Sequence, residues 1–82
     1  MIAVADRRKL YETLTTRERQ IAKMLAFGLT CRAIADDLGI GPKTIDTHRM
    51  AIMKKLGLKN TTELARDAIR VGFVPGPDET TP

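Results

Sequence analysis

The sequence predicts an all-α fold, in which a compact domain of four helices contains a helix-turn-helix unit and is followed by a disordered, acidic C-terminal tail. Three observations predict it. Apolar residues recur at helical spacing in four segments. No segment shows the strict apolar–polar alternation of a half-buried strand. Each of the four segments is followed by a glycine, which can adopt the left-handed conformation that ends a helix: Gly28, Gly39, Gly57 and Gly72.

The first helix is predicted for about residues 16–27, because a capping pattern marks its start. Thr15 stands at the N-cap and Glu18 follows three residues later, which is the spacing of a capping box. Leu14, just before the cap, is placed to pack against the first turn as a hydrophobic staple. The apolar residues Ile21, Met24, Leu25 and Phe27 then follow helical spacing.

The next two predicted helices, Cys31–Leu38 and Pro42–Leu56, form the helix-turn-helix unit. Thr30 can cap the first of them, and Pro42 suits the first turn of the second because an N–H there has no helical partner. The turn between the two helices is short and contains glycine, as is typical of this unit. The residues expected to hold the two helices together are Ile34, Ala35, Leu38, Gly39, Ile40 and Ile45.

A fourth helix is predicted for about residues 61–71. Asn60 stands at its N-cap, and Glu63 repeats the capping-box spacing. The apolar residues of this helix also follow helical spacing. They are Leu64, Ala65, Ala68, Ile69 and Val71.

The two ends of the chain are interpreted as lying outside a domain that spans residues 14–74. Residues 1–13 are an N-terminal segment or linker, with a turn or two of helix near residues 6–12. Residues 75–82 contain three prolines, a glycine and two acidic residues without apolar periodicity, so a disordered tail is predicted. A chain of 82 residues has room for one domain.

The net charge of +4 is concentrated in one part of the chain. Residues 21–60 carry seven basic and three acidic side chains, whereas residues 61–82 carry two basic and four acidic ones. A concentrated basic stretch predicts an anionic partner, either nucleic acid or a membrane surface. Aromatic residues are too few to predict base stacking on single strands, since only Tyr11, Phe27 and Phe73 are present.

Several classes of protein are excluded by the residue types present. Cys31 is the only cysteine and His48 the only histidine, so neither an internal disulfide nor a cysteine-rich zinc site is expected, and no cofactor is predicted. No apolar run approaches the roughly 20 residues of a membrane span, and no signal peptide is visible, which predicts a cytoplasmic protein. An enzyme is not expected, because no nucleophile–base–orienter set is recognisable.

A projection of the helix at Pro42–Leu56 separates its residues into two faces. At about 100° per residue, one face carries Ile45, His48, Ile52 and Leu56. The opposite face carries Lys43, Asp46, Thr47, Met50 and Lys54. A helix with an apolar inner face, and an outer face that one groove of DNA can reach, has the arrangement of a recognition helix. Its N-terminus also offers free backbone N–H groups to a phosphate.

An ordered series of residues matches the pattern of a known family. It comprises Leu14, Thr15, Arg17, Glu18 and Ile21, then Gly28, Leu29 and Thr30, then Ile34, Ala35, Leu38, Gly39 and Ile40, then Lys43, Thr44, Ile45 and His48, then Ile52, Lys55, Leu56 and Gly57, and finally Glu63 and Leu64. On these residues, the segment 14–74 resembles the LuxR-type (GerE-like) helix-turn-helix domain of bacterial transcriptional regulators. The resemblance covers about three quarters of the chain.

This resemblance implies a domain that binds duplex DNA as a dimer, with the helix at Pro42–Leu56 in the major groove. The implied base-reading residues are Asp46, Thr47 and Met50. The implied phosphate-binding residues are Thr30, Lys43, Thr44, Lys54 and Lys55. The implied dimer interface lies on the fourth predicted helix, at Leu64, Ala65 and Ala68. The expected partners are double-stranded DNA, a second copy of the chain and RNA polymerase.

The role of Asp46 and the function of the chain each stay open between two possibilities. Asp46 stands where many members of the family have a basic or polar residue, so it either accepts from the amino group of a cytosine or repels unwanted registers. The alternative to a DNA-binding regulator is a small helical protein–protein module that titrates another regulator through its fourth predicted helix. Loss of salt-sensitive DNA binding, with partner binding kept, would favour that module.

Overall fold

Five helices follow one another along residues 4–75, the part of the chain that the structure, a computed structural model, describes. They are α1 (Val4–Glu12), α2 (Thr16–Ala26), α3 (Cys31–Leu38), α4 (Pro42–Leu56) and α5 (Thr61–Arg70). Residues 4–75 contain no strand, and the predicted all-α class is confirmed. The predicted tail lies, apart from Pro75, outside the described residues. None of the described helices has both the length and the apolar character to cross a membrane.

α2 begins at the cap that the sequence predicts. The Thr15 hydroxyl oxygen accepts from the Glu18 backbone N–H at 3.1 Å, and the Glu18 carboxylate accepts from the Thr15 N–H at 2.9 Å. The helix ends at Ala26, and Phe27 is its C-cap. The predicted helix end at about residue 27 agrees with this to within one residue, but the Phe27 side chain, which continues the apolar spacing, is 59 % exposed.

α5 begins with one half of the predicted capping box. The Asn60 side-chain oxygen accepts from the Glu63 backbone N–H at 2.9 Å, as predicted. The Glu63 carboxylate, however, accepts from the N–H of Lys59, one residue before the N-cap, also at 2.9 Å. The carboxylate therefore still stabilises the start of the helix, but its donor is the Lys59 N–H and not the Asn60 N–H.

α3 and α4 form the helix-turn-helix unit. Gly39 ends α3 with a φ of 68°, in the left-handed region where other residues are strained. The Ile40 N–H donates to the carbonyl of Ala35 at 3.0 Å and closes the turn. α2 packs against α3, α4 and α5. The largest completely buried side chains come from these four helices and form the centre of the core: Ile21, Ile34, Ile45, Ile52, Leu56 and Leu64.

α1 is longer than the turn or two that the sequence predicts, and it contacts both α4 and α5. The Arg7 guanidinium donates to the Asp67 carboxylate at 2.6 and 3.0 Å and to the Leu56 carbonyl at 2.8 Å. The Tyr11 hydroxyl donates to the same carboxylate at 2.7 Å. Residues 4–12 are therefore fastened to the domain by hydrogen bonds that reach the end of α4. The sequence shows no local pattern for them, because Arg7 and Asp67 are 60 residues apart.

Candidate nucleic-acid interface

α4 is anchored along its inner face, which leaves its outer face free. Ile45, Ile52 and Leu56 are completely buried. Pro42 occupies the first turn, and the helix ends at Gly57, whose φ is 69° and whose N–H donates to carbonyls of the last turn. Because three large side chains near the start, the middle and the end of the helix are fixed in the core, the orientation of the outer face is fixed too.

The outer face of α4 consists of Lys43, Asp46, Thr47, Met50 and Lys54. All are exposed except Asp46, which is half-buried, and Met50 is 60 % exposed. The Thr47 hydroxyl donates to the carbonyl of Lys43 at 3.1 Å, so its proton is satisfied within the helix. The structure therefore brings these five side chains together on one surface, as the helical projection predicts.

Asp46 is paired with an arginine that sequence reasoning missed. Arg49 donates to the Oδ1 atom of Asp46 from Nε at 3.0 Å and from Nη2 at 2.7 Å. Cys31, at the start of α3, is near enough to this guanidinium to affect its pKa. The hydrogen bond to Asp46 raises the pKa of Arg49, with a smaller contribution from Cys31. The three-residue spacing of Asp46 and Arg49 was the available signal, because such residues are neighbours on a helix surface.

Thr30 and Thr44 lie at the N-termini of α3 and α4. The Thr30 hydroxyl oxygen accepts from the Ala33 backbone N–H at 3.0 Å, so this residue caps α3 as predicted. Its hydroxyl proton is still able to reach another acceptor, because a hydroxyl both donates and accepts. Thr44 is exposed in the first turn of α4. Both side chains are thus placed at helix ends that favour an anion.

Lys55 has a partner within the domain. Its Nζ donates to the Oε1 atom of Glu18 at 2.6 Å, the same oxygen that accepts from the Thr15 N–H. The bond from Lys55, followed by the bond from the Thr15 backbone, lowers the pKa of Glu18, whose exposed fraction is only 7 %. Lys55 therefore connects α4 to the start of α2. This contact separates Lys55 from Lys43 and Lys54, the lysines on the outer face of α4.

Cys31 and His48 belong to no cluster of metal-ligating side chains within the described part of the chain. Cys31 is a free, half-buried thiol in the first turn of α3, and His48 is half-buried on α4. Among residues 4–75, no group of three His, Cys, Asp or Glu side chains could hold a metal ion.

Comparison with known proteins identifies the family of this domain. The GerE family model, described as bacterial regulatory proteins of the luxR family, matches residues 12–68. The chain belongs to the luxR family. The matched residues include α2, α3 and α4 entirely, and most of α5.

Several luxR-family relatives are longer proteins. The transcriptional regulatory protein UhpA of Escherichia coli (strain K12) is 51% identical over 55 residues, which cover 67% of this chain and 28% of that protein. The transcriptional regulatory protein FixJ of Rhizobium meliloti (strain 1021) is 40% identical over 70 residues, which cover 85% of this chain and 34% of that protein. The chain thus spans about a third of the length of these relatives.

In this luxR-family domain, two of the three residues predicted at a dimer interface belong to the core. Leu64 and Ala68 are completely buried, so neither offers a surface to a second chain, and Ala65 is half-buried. The face of α5 that carries Leu64 and Ala68 packs inside the same chain, where α2 is its main neighbour. The resemblance implied a dimer interface at these residues, whereas here their face of α5 is covered by the same chain. The exposed residues of α5 are Thr62, Arg66, Ile69 and Arg70.

Proposed function

We propose that this chain binds double-stranded DNA in a sequence-specific manner and regulates bacterial transcription, with α4 in the major groove. One observation carries the proposal: a luxR-family helix-turn-helix unit presents the outer face of α4, which is largely exposed and has at its ends Lys43 and Lys54, neither of them in an ion pair with another of residues 4–75. The N-terminal part of such a helix reaches base edges in the groove. UhpA and FixJ, both named transcriptional regulatory proteins, support the same function. RNA polymerase is the further partner that we propose for the DNA-bound regulator.

The residues of the interface divide by chemistry. We assign Thr47 and Met50 to base edges, where a methyl or thioether group can contact a thymine methyl. We assign Lys43 and Lys54 to phosphates at the two ends of the same face. The hydroxyls of Thr30 and Thr44 supplement them at the helix N-termini. The half-buried Asp46 lies on the same face, and its role depends on the arginine that holds it.

Replacing Lys54 by alanine is expected to weaken binding to all duplexes alike. The slope of log affinity against log salt should fall by about one, because one phosphate contact and its released counterion are lost. Fluorescence anisotropy titrations on a fixed duplex and a scrambled duplex, at several salt concentrations, measure both effects. If the unaltered chain binds no duplex at low salt, the proposed function is wrong. If it then still associates with another protein through α5, that result would favour the protein–protein module.

The neighbouring lysine supplies the matched control. Lys55→Ala is expected to lower the free energy of unfolding by about 1 kcal/mol, because the nearly buried Glu18 loses its cation. Its salt slope should stay close to that of the unaltered chain. Urea unfolding and the same titrations measure the two properties. Equal losses of slope in Lys54→Ala and Lys55→Ala would instead assign Lys55 to a phosphate.

We also propose that the chain acts as a homodimer through the exposed side of α5. Ile69 is a large apolar side chain that is 37% exposed there, beside the half-buried Ala65. Replacing Ile69 by asparagine is expected to shift the chain from dimer to monomer in sedimentation velocity, because burial of this side chain favours association. Leu29→Asn is the control, since Leu29 is equally exposed at 37% but lies outside α5. A dimer that survives Ile69→Asn would place the interface elsewhere.

A further inference from the structure

The ion pair between Asp46 and Arg49 fixes the orientation of a cation at the edge of the outer face of α4. Two N–H groups of the guanidinium converge on one carboxylate oxygen, at 3.0 and 2.7 Å. The remaining N–H donors of the arginine have no hydrogen-bond partner among residues 4–75 apart from the neighbouring Cys31 thiol. Arg49 is thus held in one direction while it keeps donors for another ligand.

The position of Arg49 on α4 favours a phosphate over a base as that ligand. At about 100° per residue, Arg49 lies about 60° from Asp46 but about 160° from Thr47, on the side that faces α3. The centre of the outer face points to base edges, so a residue displaced towards α3 is closer to the sugar–phosphate backbone at the groove wall. A planar guanidinium also matches the geometry of phosphate oxygens.

The pair also changes what Asp46 can do. Its side chain is 50% exposed and that of Arg49 is 31% exposed, so both are accessible to a ligand. Both hydrogen bonds from Arg49 use Oδ1, so direct reading of a cytosine amino group would have to use Oδ2 alone. While the pair is intact, the negative charge of Asp46 is offset next to the place where a polyanion would bind. The two residues therefore form one unit.

We propose that Arg49 binds a DNA phosphate and that Asp46 is a positioning residue, which holds the guanidinium beside the start of α3. This inference rests on the proposed DNA-binding function. It replaces the role of base reader predicted for Asp46, and it adds to the interface a cation that the helical projection left out. Base selection then depends on Thr47 and Met50.

The test compares five variants on two duplexes: Arg49→Ala, Arg49→Lys, Asp46→Ala, Asp46→Asn and the double variant that combines Asp46→Ala with Arg49→Ala. One duplex carries the site that the unaltered chain selects from a random pool, and the other is a scrambled duplex of equal length. Arg49→Ala should weaken binding to both by about 10-fold, the loss of one charge-assisted hydrogen-bonding group, and reduce the salt slope by about one. Asp46→Ala should weaken both in the same direction, and the double variant should be no weaker than Arg49→Ala.

Two further readouts separate positioning from a general structural role. Asp46→Asn keeps a hydrogen-bond acceptor and should restore part of the affinity lost in Asp46→Ala. In the free protein, the NMR signal of the Arg49 Nε–H should move in Asp46→Ala. The thermal unfolding midpoint should change little, because a partly exposed ion pair between residues three apart on one helix contributes little to stability. Arg49→Lys should bind more weakly than the unaltered chain, because an ammonium lacks the planar fork.

Three results would overturn the inference. A change of the preferred base at one position in the pool selected by Asp46→Ala would show that Asp46 reads that base directly. Tighter binding of Asp46→Ala to both duplexes would show that the carboxylate only repels phosphates. Unchanged affinity in Arg49→Ala would remove Arg49 from the interface. Failure of the unaltered chain to bind either duplex would contradict the proposed function itself. The two failures can be told apart, because the NMR signal of Arg49 tests its pairing with Asp46 without DNA.

Discussion

Replacing Asp67 by alanine is expected to lower the free energy of unfolding by about 3–5 kcal/mol, the cost of breaking a buried ion pair by removal of one partner. The carboxylate accepts two hydrogen bonds from Arg7 and one from the buried Tyr11, and Asp67 is 7% exposed. Without it, the Arg7 guanidinium keeps only the Leu56 carbonyl, and the Tyr11 hydroxyl has no acceptor. α1 should then detach from α5.

Urea unfolding followed by circular dichroism at pH 7 measures this loss. Asp37→Ala is the matched control, because Asp37 is an exposed aspartate on α3 and its removal should change the free energy of unfolding by no more than about 0.5 kcal/mol. Losses of similar size in the two variants would show that solvent screens the Arg7–Asp67 pair.

The same comparison has a predicted pH dependence. Burial raises the pKa of Asp67, but the hydrogen bonds from Arg7 and Tyr11 outweigh burial and hold this pKa below its ordinary value. The pair therefore stabilises the fold fully above the pKa of an unfolded aspartate, and this stabilisation is lost as pH falls through the lower folded-state pKa. The difference between the unaltered chain and Asp67→Ala should be largest near pH 7 and shrink towards about pH 3. A difference that grows on acidification would contradict this assignment.

Replacing Leu64 by alanine is expected to lower the free energy of unfolding by about 2–5 kcal/mol. The side chain is completely buried in the core, so truncation removes apolar contacts and leaves a cavity. Because these contacts lie within one chain, the loss should be the same at every protein concentration. This behaviour distinguishes a core residue from the dimer contact that the resemblance implies.

Leu29→Ala is the control for the leucine truncation. Leu29 is 37% exposed before the start of α3, so its truncation should cost far less than that of Leu64. Urea unfolding over a tenfold range of protein concentration, together with sedimentation velocity, measures folding and association separately. A Leu64→Ala variant that folds with unchanged stability but fails to dimerise would contradict this prediction and show that Leu64 lies at the dimer interface.

The helices of the domain were predictable because their signals are local. Thr15 and Glu18 are three residues apart, and their reciprocal hydrogen bonds form within one turn of α2. The helix ends at Gly39 and Gly57 were predictable too, because the left-handed conformation of each glycine depends only on the backbone next to it. Phe27 shows the limit, because a residue at the helix end can continue the apolar spacing and still point to solvent.

The candidate interface was predictable to the extent that it depends on one helix. The projection of α4 separates the outer face from the buried Ile45 and Ile52, because the angle per residue is constant along a helix. It could not show that Lys55 pairs with Glu18, which lies 37 residues earlier on another helix. For α5, the apolar spacing could not distinguish a face buried inside the chain from one that is exposed, because the spacing is the same in both cases.

By itself, the sequence determined the all-α class, the helices of the helix-turn-helix unit and the membership of a DNA-binding family, because each rests on short-range patterns in order along the chain. The tertiary structure alone decided which charges are free. It pairs Lys55 with Glu18 and Arg7 with Asp67, whereas no acidic side chain of the described residues 4–75 pairs with Lys43 or Lys54. The physical reason is that an ion pair depends on distance in space, and only packing brings residues from separate helices within hydrogen-bonding distance.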